Sequence, residues 1–115
     1  MTTPVGPYTP IVRAGDWLVC SGQIGVDGGG LVDGGVQAQA RQALANIATL
    51  LGQEGASLRD VVKTTVFLAH ISDFNAVNEV YAAAFGDHRP ARSAVAVSAL
   101  PLGALVEIEA WARLA

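Results

Sequence analysis

The middle of this chain reads helix, strand, helix, and that order limits what the rest can become. Over residues 36–54, Val36, Ala40, Ala43, Ile47 and Leu50 recur at helical spacing, with Leu44 and Leu51 widening the stripe. Gln37, Gln39, Arg41, Gln42 and Gln53 fill the polar face, and Gly52 and Gly55 end the helix. Ser57-Leu58-Arg59-Asp60 has capping-box spacing and suits one short turn. Val61–Leu68 is crowded with β-branched side chains, which fit a pleated, half-buried surface better than a helix. Ser72 or Asp73 is then placed to cap a second helix with the apolar face Phe74, Val77, Tyr81 and Phe85, closed by Gly86.

Shorter runs flank this centre. Pro4, Gly6, Pro7 and Pro10 make a turn-rich start. Ile11-Val12-Arg13 reads as a strand, Ala14-Gly15-Asp16 as a tight turn, and Trp17-Leu18-Val19-Cys20 as a second strand ending at Gly22. The glycine-rich stretch 27–35 matches neither a dinucleotide fingerprint nor a P-loop, and reads as a hairpin-like connection that tolerates positive φ. Residues 92–97 and 105–113 alternate as two last strands, joined through Leu100-Pro101-Leu102-Gly103. The order β-β-α-β-α-β-β predicts a two-layer α+β domain, with two helices covering one face of a sheet and the other face bare.

The bare face explains an odd composition. Apolar side chains make up 51% of the 115 residues and charged ones only 15%, against a usual charged share of about 25%. A globule of this size has too little interior for that much apolar side chain, so the excess lies outside, where large apolar patches mark subunit interfaces. An oligomer is therefore expected. The net charge of −3 and the lack of any Lys/Arg run remove the electrostatic footprint of a nucleic-acid binder. A single cysteine, Cys20, rules out an internal disulfide framework and fits a reducing compartment. Met1 to Pro7 lacks the basic and apolar regions of a signal peptide, and no apolar run approaches the ~18 residues that span a bilayer. A single domain over 1–115 in the cytoplasm is expected.

In so apolar a sequence the few polar side chains are informative. Arg92 opens a strand after Pro90-Ala91, and Glu107 lies inside an apolar strand with Glu109 on the same face. Such a carboxylate is costly unless paired or hydrogen-bonded. Either Arg92 and Glu107 form a structural ion pair, or both are solvated, or they form a site. As a site, the planar Arg fork grips a carboxylate and a nearby Glu orients or deprotonates water, which suits hydrolysis of a small acid. Tyr8 and Asn78 are further candidates for polar contacts, though each also reads as an ordinary surface residue. His70 and His88 stand at element ends with no second ligand at metal spacing, so no metal is expected. Cys20 reads as a small buried hydrophobe, and no nucleophile-elbow or triad order is visible.

Six segments in order carry a resemblance. They are Gly6-Pro7-Tyr8, Ser21-Gly22-Gln23-Ile24, the run from Asp60 to Leu68, Asn78-Glu79-Val80-Tyr81, Pro90-Ala91-Arg92-Ser93, and Leu100-Pro101 through Val106-Glu107-Ile108-Glu109-Ala110. They cover nearly the whole chain, and together they resemble the RidA/YjgF family of reactive intermediate imine deaminases. The resemblance implies a chorismate-mutase-like two-layer α+β domain, with one mixed β-sheet and two helices on one face. It further implies a homotrimer with sites between adjacent subunits.

The implied activity is hydrolytic deamination of enamine/imine acids such as 2-aminoacrylate to 2-keto acids and ammonia, with no cofactor. By the same resemblance Arg92 holds the substrate carboxylate and Glu107 is linked to the hydrolytic water. Tyr8, Gly22 and Asn78 line the site, as does the backbone of Ala94. Some members carry a cysteine two residues after the arginine; here that residue is Ala94, which excludes thiol chemistry there but keeps the backbone contact. The loop between Phe85 and Arg92 looks short, and Pro10 replaces a commoner glutamine. Two other roles compete: the same cleft serving as a keto-acid-binding, metabolite-responsive module with little turnover, and a chaperone-like or RNA-directed role of the kind attributed to some relatives. The acidic balance argues against RNA.

Overall fold

The computed structural model describes residues 6–115. Residues 1–5, and with them the expectation of no leader and the placement of Pro4, lie outside the described residues. The elements are β1 (Ile11–Ala14), β2 (Trp17–Ile24), α1 (Gly35–Gln53), β3 (Val61–Leu68), α2 (Phe74–Phe85), β4 (Ala91–Ala96) and β5 (Val106–Arg113). Short 3-10 turns lie at Leu58–Asp60, Ile71–Asp73 and Pro101–Gly103. The five strands form one sheet in the order β1-β2-β5-β3-β4. All neighbours are antiparallel except β3 and β4, which are parallel. A parallel pair needs a crossover, and α2 supplies it. The fold is thus two helices packed on one face of a mixed five-stranded sheet.

Local chemistry explains the boundaries. The capping box at Ser57 is complete: Asp60 Oδ2 accepts from Ser57 N at 2.9 Å, and Ser57 Oγ accepts from Arg59 N at 3.3 Å. Asp73 stands at the N-cap position of α2 but its side chain makes no capping hydrogen bond, so the expected side-chain cap is not formed; Gly86 follows the last residue at φ 62°. The 27–35 connection is hairpin-like, with a bridge between Val26 and Leu31.

β2 runs on to Ile24, two residues beyond its expected end at Gly22. Its pairing with β5 shifts between Cys20 and Gln23 and then resumes, so Ser21-Gly22 is a bulge within a strand rather than its end. Gln39 also departs from expectation. It is only 7% exposed, and its Oε1 accepts from Leu105 N at 2.8 Å. The helix passes so close to Gly25 that a side chain there would meet the Gln39 carbonyl oxygen at 2.7 Å. Asn46 is buried too, and its Nδ2 donates to the carbonyls of Ile24 and Val26 at 3.3 and 3.0 Å. These two amides supply hydrogen bonds that the loop backbone would otherwise lack, so they belong to the core rather than to a solvated face.

The core lies between helices and sheet, where Ile47 and Leu51 of α1 and Val77 of α2 are buried with Leu18, Val66, Leu68 and Ile108. Alternation sends the intervening residues to the other side. Glu107, Glu109 and Trp111 of β5 face away from the helices, as do Trp17, Val12 and Val95. Trp17 and Trp111 pack edge-to-face at 6.2 Å, yet Trp111 keeps 44% of its surface exposed. This is the bare apolar face expected from composition. Trp111→Glu is expected to leave the fold intact, since the side chain points outward, and to block self-association through this face, because a carboxylate in a desolvated interface costs several kcal/mol unless paired. Sedimentation velocity at micromolar concentration would show a shift to the monomer.

Candidate active site

Arg92 is the second residue of the edge strand β4, in register with Thr64 of β3. Thr64 is fully buried under the helices, so Arg92 also points to the helix side. There one face of α2 receives it. Arg92 Nη1 donates to Asn78 Oδ1 at 2.8 Å. The guanidinium carbon lies 4.9 Å from the Tyr81 ring centroid and 5.5 Å from that of Phe74. Residues 74, 78 and 81 stand at i, i+4 and i+7, so one helix face makes all three contacts. A guanidinium carries five N–H donors in a planar fork. Among the described residues only the bond to Asn78 engages it, and it stays partly exposed.

Glu107 lies on the other face. It is paired with Phe67 of β3 and Ile24 of β2, both outside the helix layer. No ion pair joins it to Arg92; among the described residues the one salt bridge is Arg13–Glu54. The ion-pair reading of Arg92 and Glu107 is therefore corrected: alternation across the sheet sends them to opposite sides. The Glu107 carboxylate rests over the β2 bulge. A Cβ at Gly22 would overlap its Oε2 and come within 2.8 Å of Cδ and 3.0 Å of Cγ. Burial, and secondarily the charge of Glu109, push the Glu107 carboxyl above its ordinary value.

Tyr8 is 46% exposed on the segment that approaches this bulge. Thr9 O accepts from Ser21 Oγ at 2.7 Å and Pro10 O accepts from Ser21 N at 2.8 Å, so the residues after Tyr8 are tied beside Gly22. Ala94 follows Arg92 on the helix face and packs against the core. The structure thus brings the six candidates together as two groups: Arg92, Asn78 and Ala94 at the β4–α2 edge, and Glu107, Gly22 and Tyr8 around the β2 bulge. It does not bring the two groups together within one chain.

Phe74, Tyr81 and Thr64 were not expected around Arg92. Phe74 and Tyr81 read in sequence only as part of an apolar helix face and Thr64 only as a β-branched strand residue; Phe74 is 36% exposed beside the guanidinium. Burial pushes the Cys20 thiol up to about 11, which keeps it protonated and poorly nucleophilic. His88 Nε2 meets Val61 O at 2.6 Å, a structural contact. No group of three or more His, Cys, Asp or Glu among the described residues could hold a metal ion. No helix of the described residues is long and apolar enough to cross a membrane.

A two-layer sheet-and-helix domain with a half-buried arginine at its edge and a carboxylate over a glycine bulge is a shape found among known proteins. A family model described as Endoribonuclease L-PSP matches residues 1–114. The chain belongs to this family, which takes in RutC, RidA and YjgF proteins. It is 49% identical over 111 residues to a RutC family protein of Pyrococcus horikoshii, covering 95% of this chain and 88% of that protein. It is 49% identical over 110 residues to the human 2-iminobutanoate/2-iminopropanoate deaminase, covering 94% and 80%. Among solved structures, E. coli TdcF with bound serine superposes with a TM-score of 0.92 at 39% identity, covering 97% and 90%.

The raised Glu107 carboxyl carries a stability consequence. A carboxyl whose folded pKa lies above its unfolded one is held best in its neutral form, so the folded state is favoured below the unfolded value and loses that advantage as pH rises through the folded value. Glu107→Gln is therefore expected to melt higher than the parent at pH 7, with the gap closing as the buffer is taken below the ordinary carboxylate range. Calorimetric melts across pH would check it.

Proposed function

We propose that this chain hydrolyses small enamine and imine acids, such as 2-iminobutanoate, 2-iminopropanoate and 2-aminoacrylate, to 2-keto acids and ammonia. The observation that carries the reading is Arg92: a fork held by Asn78 and two aromatic rings, with the rest of its donors open to a carboxylate. The names of relatives at this level of identity point the same way. Of the two activities those names print, endoribonuclease and imine deaminase, the second suits a chain with seven Lys and Arg against ten Asp and Glu.

The division of the six residues into two groups argues that each site forms between copies, with Arg92, Asn78 and Ala94 from one and Glu107, Gly22 and Tyr8 from the next. Contacts of that unlike-to-unlike kind make a ring when the rotation closes and a filament when it does not, and a closed homotrimer is the assembly proposed. In such a site Arg92 fixes the substrate carboxylate through two parallel N–H bonds. Glu107, as its carboxylate, takes a proton from water as the oxygen attacks C2 of the imine. Glu107 returns that proton to the imine nitrogen, giving an aminoalcohol. It then takes the hydroxyl proton and passes it to the amino nitrogen as the C–N bond breaks, so the keto acid and ammonia leave and the carboxylate is restored. An enamine enters the same path after tautomerising to its imine. The imine carbon is already electrophilic, so the protein mainly orients substrate and water, and no cofactor is required. The cytoplasm fits a reduced, buried Cys20.

The test is spectrophotometric. Enamine is generated in situ by a pyridoxal-phosphate enzyme acting on serine, and its decay is followed with and without this protein. Faster decay with release of keto acid and ammonia is expected; an unchanged decay rate at micromolar protein would refute the reading.

A further inference from the structure

We propose that Tyr81 is a positioning residue for Arg92, fixed in turn by the buried hydroxyl of Thr64. This rests on the reading of Arg92 as the carboxylate anchor and extends it one layer inward. Arg92 stands on an edge strand with partial exposure, where a long side chain would ordinarily exchange rotamers. Here its cationic plane lies against the Tyr81 ring, and the ring is held at its far end: Tyr81 Oη and Thr64 Oγ1 are 2.7 Å apart. Thr64 is the β3 residue in direct register with Arg92. The chain of contact therefore runs from the strand beside the anchor, through the Thr64 hydroxyl, to the ring and back to the guanidinium. A fork held in its binding orientation before the ligand arrives spends less conformational entropy on capture, which appears as affinity.

Thr64 makes the inference testable. It is fully buried and therefore out of reach of any ligand, so a change in ligand affinity on its substitution travels indirectly, either through Tyr81 or through the strand pair that Thr64 makes with Arg92, and the matching effect of Tyr81→Phe identifies the first route. Loss of the Tyr81–Thr64 bond also leaves one buried hydroxyl unpaired, and that stability cost must be separated from the positioning effect. Val80 serves as the control. It is the buried neighbour of Tyr81 on α2, but it lines the groove toward α1 with Leu44 and Ala48 rather than the arginine.

The experiment is calorimetric titration of the assembled protein with 2-oxobutanoate, a stable keto acid of the product class, alongside thermal melting. Thr64→Val and Tyr81→Phe are each expected to raise Kd about three- to tenfold, the affinity equivalent of one lost hydrogen bond. Thr64→Ser, which keeps the hydroxyl, should restore the parent Kd. The double variant Thr64→Val with Tyr81→Phe should regain melting temperature, since both polar atoms are gone, yet keep the raised Kd. Val80→Ala should lower the melting temperature and leave Kd alone. Should Thr64→Val not fold, Tyr81→Phe decides alone. The inference is overturned if Kd follows melting temperature across the series, or if Thr64→Val and Tyr81→Phe bind like the parent. Arg92→Ala in the same titration separates the two layers. If it abolishes binding while Thr64→Val has no effect, only the positioning role falls. If it binds like the parent, the anchor reading falls and takes the positioning role with it.

Discussion

Arg92→Ala is expected to remove turnover while leaving the assembly intact. Truncating one member of a partly desolvated, hydrogen-bonded charge pair costs about 2–5 kcal/mol, which is roughly 30-fold to several thousandfold in kcat/KM. The fold loses little, because the guanidinium lies at an edge strand with a single hydrogen bond to Asn78 and contacts with two rings. A steady-state assay on enamine generated in situ reads the first effect, and size-exclusion chromatography with light scattering reads the second. Arg92→Lys should recover only part of the loss, since an ammonium keeps the charge but not the two-pronged geometry. A fully active Arg92→Ala protein would remove the anchor from the mechanism.

Gly22→Ala is the second large effect, and it comes from one methyl group. The space a Cβ would need at Gly22 is occupied by the end of the Glu107 side chain, with Cδ at 2.8 Å and Cγ at 3.0 Å from the new atom. The obstacle is the far end of a flexible side chain, so the fold yields cheaply and the carboxylate moves instead. A displacement of about 1 Å at a reacting group can cost about a hundredfold in rate, and a loss of that order in kcat is expected with only a small fall in melting temperature. If Gly22→Ala keeps the parent kcat, the carboxylate is not where the water is activated. A large fall in melting temperature would instead mean that the bulge, and not the carboxylate, had given way.

The readability of this chain differs by region for physical reasons. Val61–Leu68 and the second helix were legible because β-branched crowding and a clean helical stripe each leave one reading. The far half of β2 was not. Ser21 and Gly22 look like the end of a strand, and only the resumed pairing with β5 turns them into a bulge. Gln39 looked solvated because a helix-face count cannot see that the neighbouring loop needs an acceptor for Leu105 N. At the site, Arg92 and Glu107 stood out as charges in apolar surroundings. Their placement on opposite sides of the sheet follows from register, which no single strand contains. Tyr81 and Thr64 were hidden because each fits its apolar pattern, and their hydroxyls reveal a purpose only when they meet.

The division of the six residues between two sides of the sheet has a genetic consequence. If each site is shared between copies as proposed, two inactive proteins, one lacking the arginine and one lacking the glutamate, should cure each other when their subunits are mixed. In a randomly reassembled equal mixture of Arg92→Ala and Glu107→Gln chains, a junction works when it draws an intact arginine from one chain and an intact glutamate from its neighbour. That happens at about one junction in four, whatever the size of the ring. Activity reborn from two dead parents at about a quarter of the natural level is the expected signature of a catalyst that belongs to no single molecule of the chain.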